Sequence, residues 1–504
     1  MPGWTRNWNT ARIFSFALAV LSCLCAAPAR AAAPAPACMS VAAYRSLQQA
    51  LVRRAPEKVD PAAAKCLIPE PRRYREFAAH LQAAAVLRDS RWRRWTRQAA
   101  CRLGFECVDD WREAYRIFNL HAAHFAVALE YLRKGLPANL RKAAARPDAR
   151  GSLLAWQGAS LAAGAVELLR RTESPELAGL LAKYFDGVLA LRDSVLNEPD
   201  PLRGRPLAAW SSTVRPENVR TAHAPLAGRI VFPMLSFADI ALRSERLAAF
   251  HARARIYLAE GARAIREFDT DWREVDGGRR HYYVMPTRGT VEPLNHAHAV
   301  GNALLLLYKY TGDAAYKDKI AAMVTVFQDS AEQEPNGSLR WPYYPAWFQA
   351  GQHSEPMWKG AVTAPFLYRA YEAGFLDADT ARRLRLTFLR NVLGDGGLNG
   401  RVSSVDARPI DAATEAGRAQ QVFAWLEMFS DAAVPAFADV MTDHPGLFPR
   451  GWLSSGKTFL VYARMIAAGD PAAPPPPPPG FAGLPELGPR RPGPPPEAGT
   501  RPAQ

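Results

Sequence analysis

Tyr308-Lys309-Tyr310-Thr311-Gly312-Asp313 joins two stretches with apolar residues at helical spacing, and its reading decides the fold. Gly312 suits the left-handed cap that ends a helix, and Asp313 suits the N-cap of the next. The spacing predicts helices over residues 293–311 and 313–329 on either side. Glu372-Ala373-Gly374, followed by Asp377-Ala378-Asp379, repeats the device between predicted helices 356–374 and 379–392. The helix hairpin is therefore the building unit.

Outward from this hairpin, residues 41–468 read as helix after helix. Further helices are expected at 121–136, stopped by Pro137, and at 151–171, 175–196, 230–242, 244–268, 412–429 and 455–468. Only 281–284 and 398–405 alternate enough to form short strands. No fixed-period motif marks an open solenoid. The longer linkers are rich in Trp, Tyr, Arg, Asn and His, which in a ring of hairpins would gather at one mouth. The expected fold is all-α, a closed α/α toroid over 32–470, with a Pro-rich disordered tail at 471–504 that includes the run Pro474 to Pro479.

The chain has 504 residues, of which 49% are hydrophobic and 22% charged, so global disorder is excluded. Residues 1–31 read as a secretory signal peptide. Arg6 and Arg12 precede an apolar run over 13–27, and Ala29-Arg30-Ala31 offers a small-x-small cleavage site. Val20-Leu21-Ser22-Cys23 fits a lipoprotein box poorly. The expectation is a periplasmic or secreted protein with no transmembrane segment in the mature chain. Removal of Cys23 and Cys25 leaves Cys38, Cys66, Cys101 and Cys107, which allow three connectivities. Cys38–Cys66 and Cys101–Cys107 are expected, since each closes a short local loop, and they staple residues 38–110. No His cluster sits beside them at ligand spacing, so no metal and no cofactor is expected.

The net charge of +15 admits a polyanionic partner. Arginine drift in a GC-rich genome produces the same excess. No block of five or six basic residues is present, which argues against nucleic acid. A diffuse positive field can still draw an acidic polysaccharide or oligosaccharide toward a cleft.

Three linkers concentrate functional side chains. Trp210 to His223 contains Arg215, Arg220 and His223, which suit a sugar carboxylate: arginine supplies paired donors and Trp210 a stacking face. A solvated connector with a docking Trp would look alike. Glu292-Pro293-Leu294-Asn295-His296-Ala297-His298 opens an apolar helix, placing Asn295 and His296 in its first turn, where the dipole favours an anion. His296 and His298 face different directions and are not a metal pair. A structural cap is the alternative for His296. The third linker, 336–359, carries Arg340, Trp341, Tyr343, Tyr344, Trp347, His353, Glu355 and Lys359. Its prolines hold the aromatics in an extended rim, which would serve a sugar groove or pack over the ring mouth.

Leu294-Asn295-His296 before a long apolar helix, the Tyr310-Thr311-Gly312-Asp313 hairpin, and Arg340-Trp341-Pro342-Tyr343-Tyr344 together resemble the α/α-toroid polysaccharide lyases of the alginate-lyase and heparinase type, over about residues 208–405. The resemblance implies that Asn295, His296 and Arg340 neutralise a uronate carboxylate. It also implies that Tyr343 or Tyr344 takes the C5 proton and protonates the departing O4. The chain departs from that pattern at Glu355-Pro356-Met357-Trp358-Lys359-Gly360, where Pro356 and Lys359 replace a second acid and a histidine. The expected function is β-elimination on a uronate-containing polysaccharide. Three alternatives stand beside it. A C5-epimerase shares the proton abstraction. A glycoside hydrolase would pair Glu292 with Glu355, or use Glu217, about 5–9.5 Å apart. A non-catalytic binder or envelope scaffold would use the aromatic rim and the positive field without turnover.

Overall fold

The computed structural model describes residues 36–89, 109–214, 217–349, 351–394, 397–448 and 451–467. Cys101, Cys107, Arg215, the leader over 1–31 and the tail over 471–504 lie outside the described residues. The chain divides into a unit ending at Ala37 and a second beginning at Cys38; the second holds every element below.

It is mostly helical. Helices α1 (Val41–Val52), α2 (Pro61–Leu67), α3 (Pro71–Asp89), α4 (Asp110–His121) and α5 (Phe125–Ala144) lead into α6 (Ala159–Thr172) and α7 (Pro175–Ala190). The hairpin β1 (Ser211–Val214) and β2 (Val219–Ala222) precedes α8 (Ala224–Arg243) and α9 (His251–Arg266). The antiparallel sheet β3 (Trp272–Val275), β4 (Arg280–Met285), β5 (Thr290–Val291) follows, in that spatial order. Then come α10 (Leu294–Thr311), α11 (Ala314–Ser330), the short pair β6 (Glu332–Gln333) and β7 (Leu339–Arg340), α12 (Met357–Glu372) and α13 (Ala378–Leu386). The last elements are α14 (Ala412–Ala419), a 3-10 segment Gln420–Met428, α15 (Val434–Asp443) and α16 (Gly456–Ala467).

The hairpin caps form as the sequence predicts. Gly312 ends α10 at φ 66°, and the Asp313 carboxylate accepts the Ala315 N–H at 3.0 Å to start α11. Asp377 does the same for α13 through the Thr380 N–H at 2.8 Å. Helix pairs pack as hairpins: α8 on α9, and α10 on α11. The first members also meet one another, since α8 packs on both α6 and α10, and α10 packs on α12. Gly228 permits the α8–α10 crossing: a Cβ there would lie 2.6 Å from both the Ala299 carbonyl oxygen and the Val300 Cα. Among the described residues, two helices, Pro147–Thr172 and Ala224–Arg243, are long and apolar enough to cross a membrane, but 72% and 83% of their apolar windows are buried within the fold.

Some expectations change. Pro137 does not stop a helix; α5 runs through it to Ala144. Leu132, Leu136, Asn139 and Ala143 are buried along one stripe, and that burial outweighs the roughly 3 kcal/mol an interior proline costs. The expected helix 244–268 begins instead as a 3-10 segment, Glu245–Phe250. Residues 398–405 form no named strand. Side chains take up the backbone there: Asn391 Nδ2 donates to the Val402 carbonyl and Asn399 Nδ2 to that of Ser403, each at 2.9 Å. Within the linker Trp210 to His223, expected as a carboxylate-binding loop or a solvated connector, Ser211–Val214 and Val219–Ala222 pair as the antiparallel β1–β2.

The Cys38–Cys66 disulfide is present, closing a separation of 28 residues. Its replacement by two serines is expected to lower stability by about 2–4 kcal/mol, measured by urea unfolding. Gly228→Ala is expected to cost about 1–3 kcal/mol by overpacking backbone against backbone. An unshifted unfolding midpoint in that variant would show that the crossing has slack.

Candidate functional site

The site is assembled where three helices begin. His223 is the N-cap residue of α8, delivered there by β2. Glu292 follows β5, its N–H donating to the Tyr283 carbonyl at 2.9 Å. His296 stands in the first turn of α10. The Glu292 carboxylate, 1% exposed, binds both imidazoles: one oxygen meets His223 Nε2, and the other meets His296 Nδ1 at 2.8 Å. The two rings stand edge to face at 5.7 Å between centroids.

Protonation follows from this arrangement. Burial alone would raise the Glu292 pKa, but the His223 charge and the hydrogen bonds from both histidines hold it well below the usual carboxylate range. An ionised carboxylate only accepts, so Nδ1 of His296 carries the proton and Nε2 is the basic nitrogen. Burial lowers the His296 pKa against the opposing pull of Glu292, so the ring is neutral at pH 7. The donor atoms of His223, Glu292 and His296 lie within 4.8 Å of one another, a set that could also hold a divalent cation.

The third linker is pinned to this cluster by the Leu294 N–H, which donates to the Tyr343 carbonyl at 3.0 Å. Lys359, in the first turn of α12, places its ammonium 5.4 Å from the centre of the Tyr343 ring. Burial, then the negative charge of Glu355, Tyr344 and Glu292, raises the Tyr343 pKa, so its hydroxyl stays protonated. Glu355 is fully buried and accepts the Trp341 Nε1–H at 2.5 Å. Burial pushes its pKa up to about 8, against the Trp341 and Thr363 hydrogen bonds and the Lys359 charge. Burial lowers Lys359 in turn, with Glu355 opposing.

No family model matches the chain, and no curated protein matches it. Among solved structures it is similar to a sugar epimerase from a ruminal bacterium, at 12% identity and a TM-score of 0.37, over 57% of this chain and 75% of that one. A likeness that weak carries no argument.

The remaining sequence-predicted residues divide by burial and pairing. Asn295 is fully buried, and neither polar atom of its amide has a hydrogen-bond partner among the described residues. Trp210 is a core residue rather than a stacking face: it is 1% exposed, and its Nε1–H donates to the Val188 carbonyl at 2.8 Å. Trp341 is equally buried, packed between Phe327 and Trp425. Arg220 is held by Asp193 and Glu198, and Arg340 by Glu332 on an exposed edge. Neither guanidinium is an unpaired cation. Tyr344 meets Tyr343 edge to face and Phe348 at a tilt, in an aromatic rim that Trp347 joins through Phe348. His353 is 80% exposed, 3.6 Å from Asp406. Glu217 is engaged by Arg288. His298 lies apart from His296 as expected, stacked on Phe366 at 4.7 Å.

The sequence reading missed that Glu292 serves both His223 and His296. Its spacing four residues before His296 was the available signal. In nitrogen-detected NMR, His296 is expected to titrate below the ordinary 6.5 as the Nδ1–H tautomer. Glu292→Gln is expected to lower its midpoint further, because the anion favouring imidazolium is gone. A midpoint that rises in this variant would contradict the pairing.

Proposed function

We propose that the helix hairpins close into an α/α toroid, and that the protein is an exported enzyme that moves a proton on an acidic glycan. Closure is supported by the succession of neighbours: α6 meets α8, α8 meets α10, α10 meets α12, α12 meets the Gln420–Met428 segment, that segment meets α16, and α16 meets α6. Export is supported by the Cys38–Cys66 disulfide, which fits an oxidising compartment.

The observation that carries the function is the ionised Glu292 holding a neutral His296 with its basic nitrogen turned away from the carboxylate. On a uronate, His296 Nε2 takes the C5 proton, and the electron pair forms the C4–C5 double bond as the C4–O4 bond breaks. Tyr343, kept protonated, donates to the departing O4. Lys359, beside that ring, offsets the carboxylate charge that otherwise keeps the C5 proton weakly acidic. This assigns to His296 and Lys359 the roles that the family resemblance gives to a tyrosine base and Arg340. The Tyr343–Tyr344–Trp347 rim supplies apolar faces for neighbouring sugars.

Incubation with alginate, glucuronan and glycosaminoglycans is expected to generate the ultraviolet absorbance of an unsaturated uronate. His296→Ala and Tyr343→Phe should each cut the rate by about 10²-fold or more, whereas Arg340→Ala should leave it nearly unchanged. The acid limb of kcat/KM is expected below pH 6.5, following the lowered His296. New reducing ends without absorbance would mean hydrolysis and defeat this reading. Deuterium incorporated at C5 without cleavage would identify an epimerase using the same base.

A further inference from the structure

A second group of charges lies farther along the same helices. A cavity of about 50 Å³ is bounded by α6, α8, α10, α12, the Gln420–Met428 segment and α16. A single water needs roughly 10–15 Å³ on that measure, so the space suits several waters or one small oxyanion. Arg229 follows His223 by six residues, and Asn302 follows His296 by six. At about 1.5 Å per residue, the cavity sits roughly 9 Å beyond the histidine cluster.

Arg229, Arg369 and Lys457 line it, against the single carboxylate of Glu427. Arg369 is satisfied: it pairs with Glu427, donates to Asn302 Oδ1, and lies 4.2 Å from the centre of the Phe232 ring. Arg229 is different. It rests on the Trp156 ring at 4.8 Å and donates to the Ala155 carbonyl at 3.2 Å and Ser160 Oγ at 3.1 Å. Among the described residues it has no carboxylate partner, and Lys457 has neither hydrogen bond nor ion pair. Within the cavity lining one acid therefore faces three cations, with Glu372 acting on Arg369 from outside it. Arg369 and Glu427 each keep 25% of their side-chain surface exposed, so solvent reaches this concavity between helices. Low-dielectric walls around unpaired positive charge focus the field and draw in anions, and a planar guanidinium beside an ammonium matches a carboxylate.

We propose that this cavity binds the carboxylate of a sugar acid, with Arg229 and Lys457 as its cationic partners. The sugar-acid assignment rests on the reading of the substrate as an acidic glycan, and the two are distinguishable because free D-glucuronate has no O4-linked sugar to eliminate. Burial, together with the like charges of Arg229 and Arg369 against Glu427, holds Lys457 down to about 7. A bound anion restores the ammonium, so binding at pH 8 takes up protons.

The test is calorimetric titration of the full chain with sodium D-glucuronate, sodium sulfate and D-glucose at pH 8, in two buffers of different ionisation heat. Glucuronate is expected to bind with proton uptake, and glucose not to bind. Lys457→Met should weaken glucuronate by about tenfold or more and abolish the uptake, while Lys457→Arg should keep most of the affinity. Sulfate binding as tightly as glucuronate would overturn the sugar-acid assignment. Glucuronate affinity unchanged in Lys457→Met, or glucose binding equally well, would overturn the site.

Discussion

A carboxylate that is 1% exposed cannot stay ionised without partners. Glu292 meets that requirement with two imidazoles from different helices, His223 at the start of α8 and His296 in the first turn of α10. The pairing fixes more than charge. It ties two helix starts to the end of the β3–β5 sheet and sets the tautomer of His296. The neighbouring backbone bond from Leu294 to Tyr343 draws the aromatic linker into the same place. Most of the proposed chemistry follows from satisfying this one buried anion.

Glu355 makes the contrast. It is equally buried, yet its side-chain hydrogen bonds come from neutral groups, the Trp341 indole and Thr363, and the cation that acts on it, Lys359, is itself weakened by burial. Burial therefore wins, and Glu355 stays largely protonated at pH 7 where Glu292 is ionised. Two carboxylates at neighbouring helix starts are driven to opposite states by environment alone. Such separation characterises acid–base sites.

The local parts of the fold were legible. Gly312 with Asp313, and Gly374 with Asp377, mark hairpins because caps depend on residues within one turn of each other. Pro137 misled because its cost is local while the burial that overrides it is tertiary. The strand expected at 398–405 failed because Asn391 and Asn399 supply the bonds a neighbouring strand would have made. In the candidate site, His296 was legible from its position at a helix start. Trp210 and Trp341 were not, since an aromatic in a linker reads the same whether its ring faces sugar or core. Arg220 and Arg340 looked like available cations until Asp193, Glu198 and Glu332 came within reach.

The sequence by itself determined the helix hairpins and their caps and favoured the Cys38–Cys66 loop among three connectivities, because hydrogen bonds between near neighbours and short loop closures are written in consecutive residues. Only the tertiary structure decided which charges are paired and which are left over. Glu292 acquired two histidines, whereas among the described residues Arg229 and Lys457 pair directly with no acid and share the field of Glu427. Ion pairing depends on distance through space, and that distance is set by how helices far apart in the chain pack together.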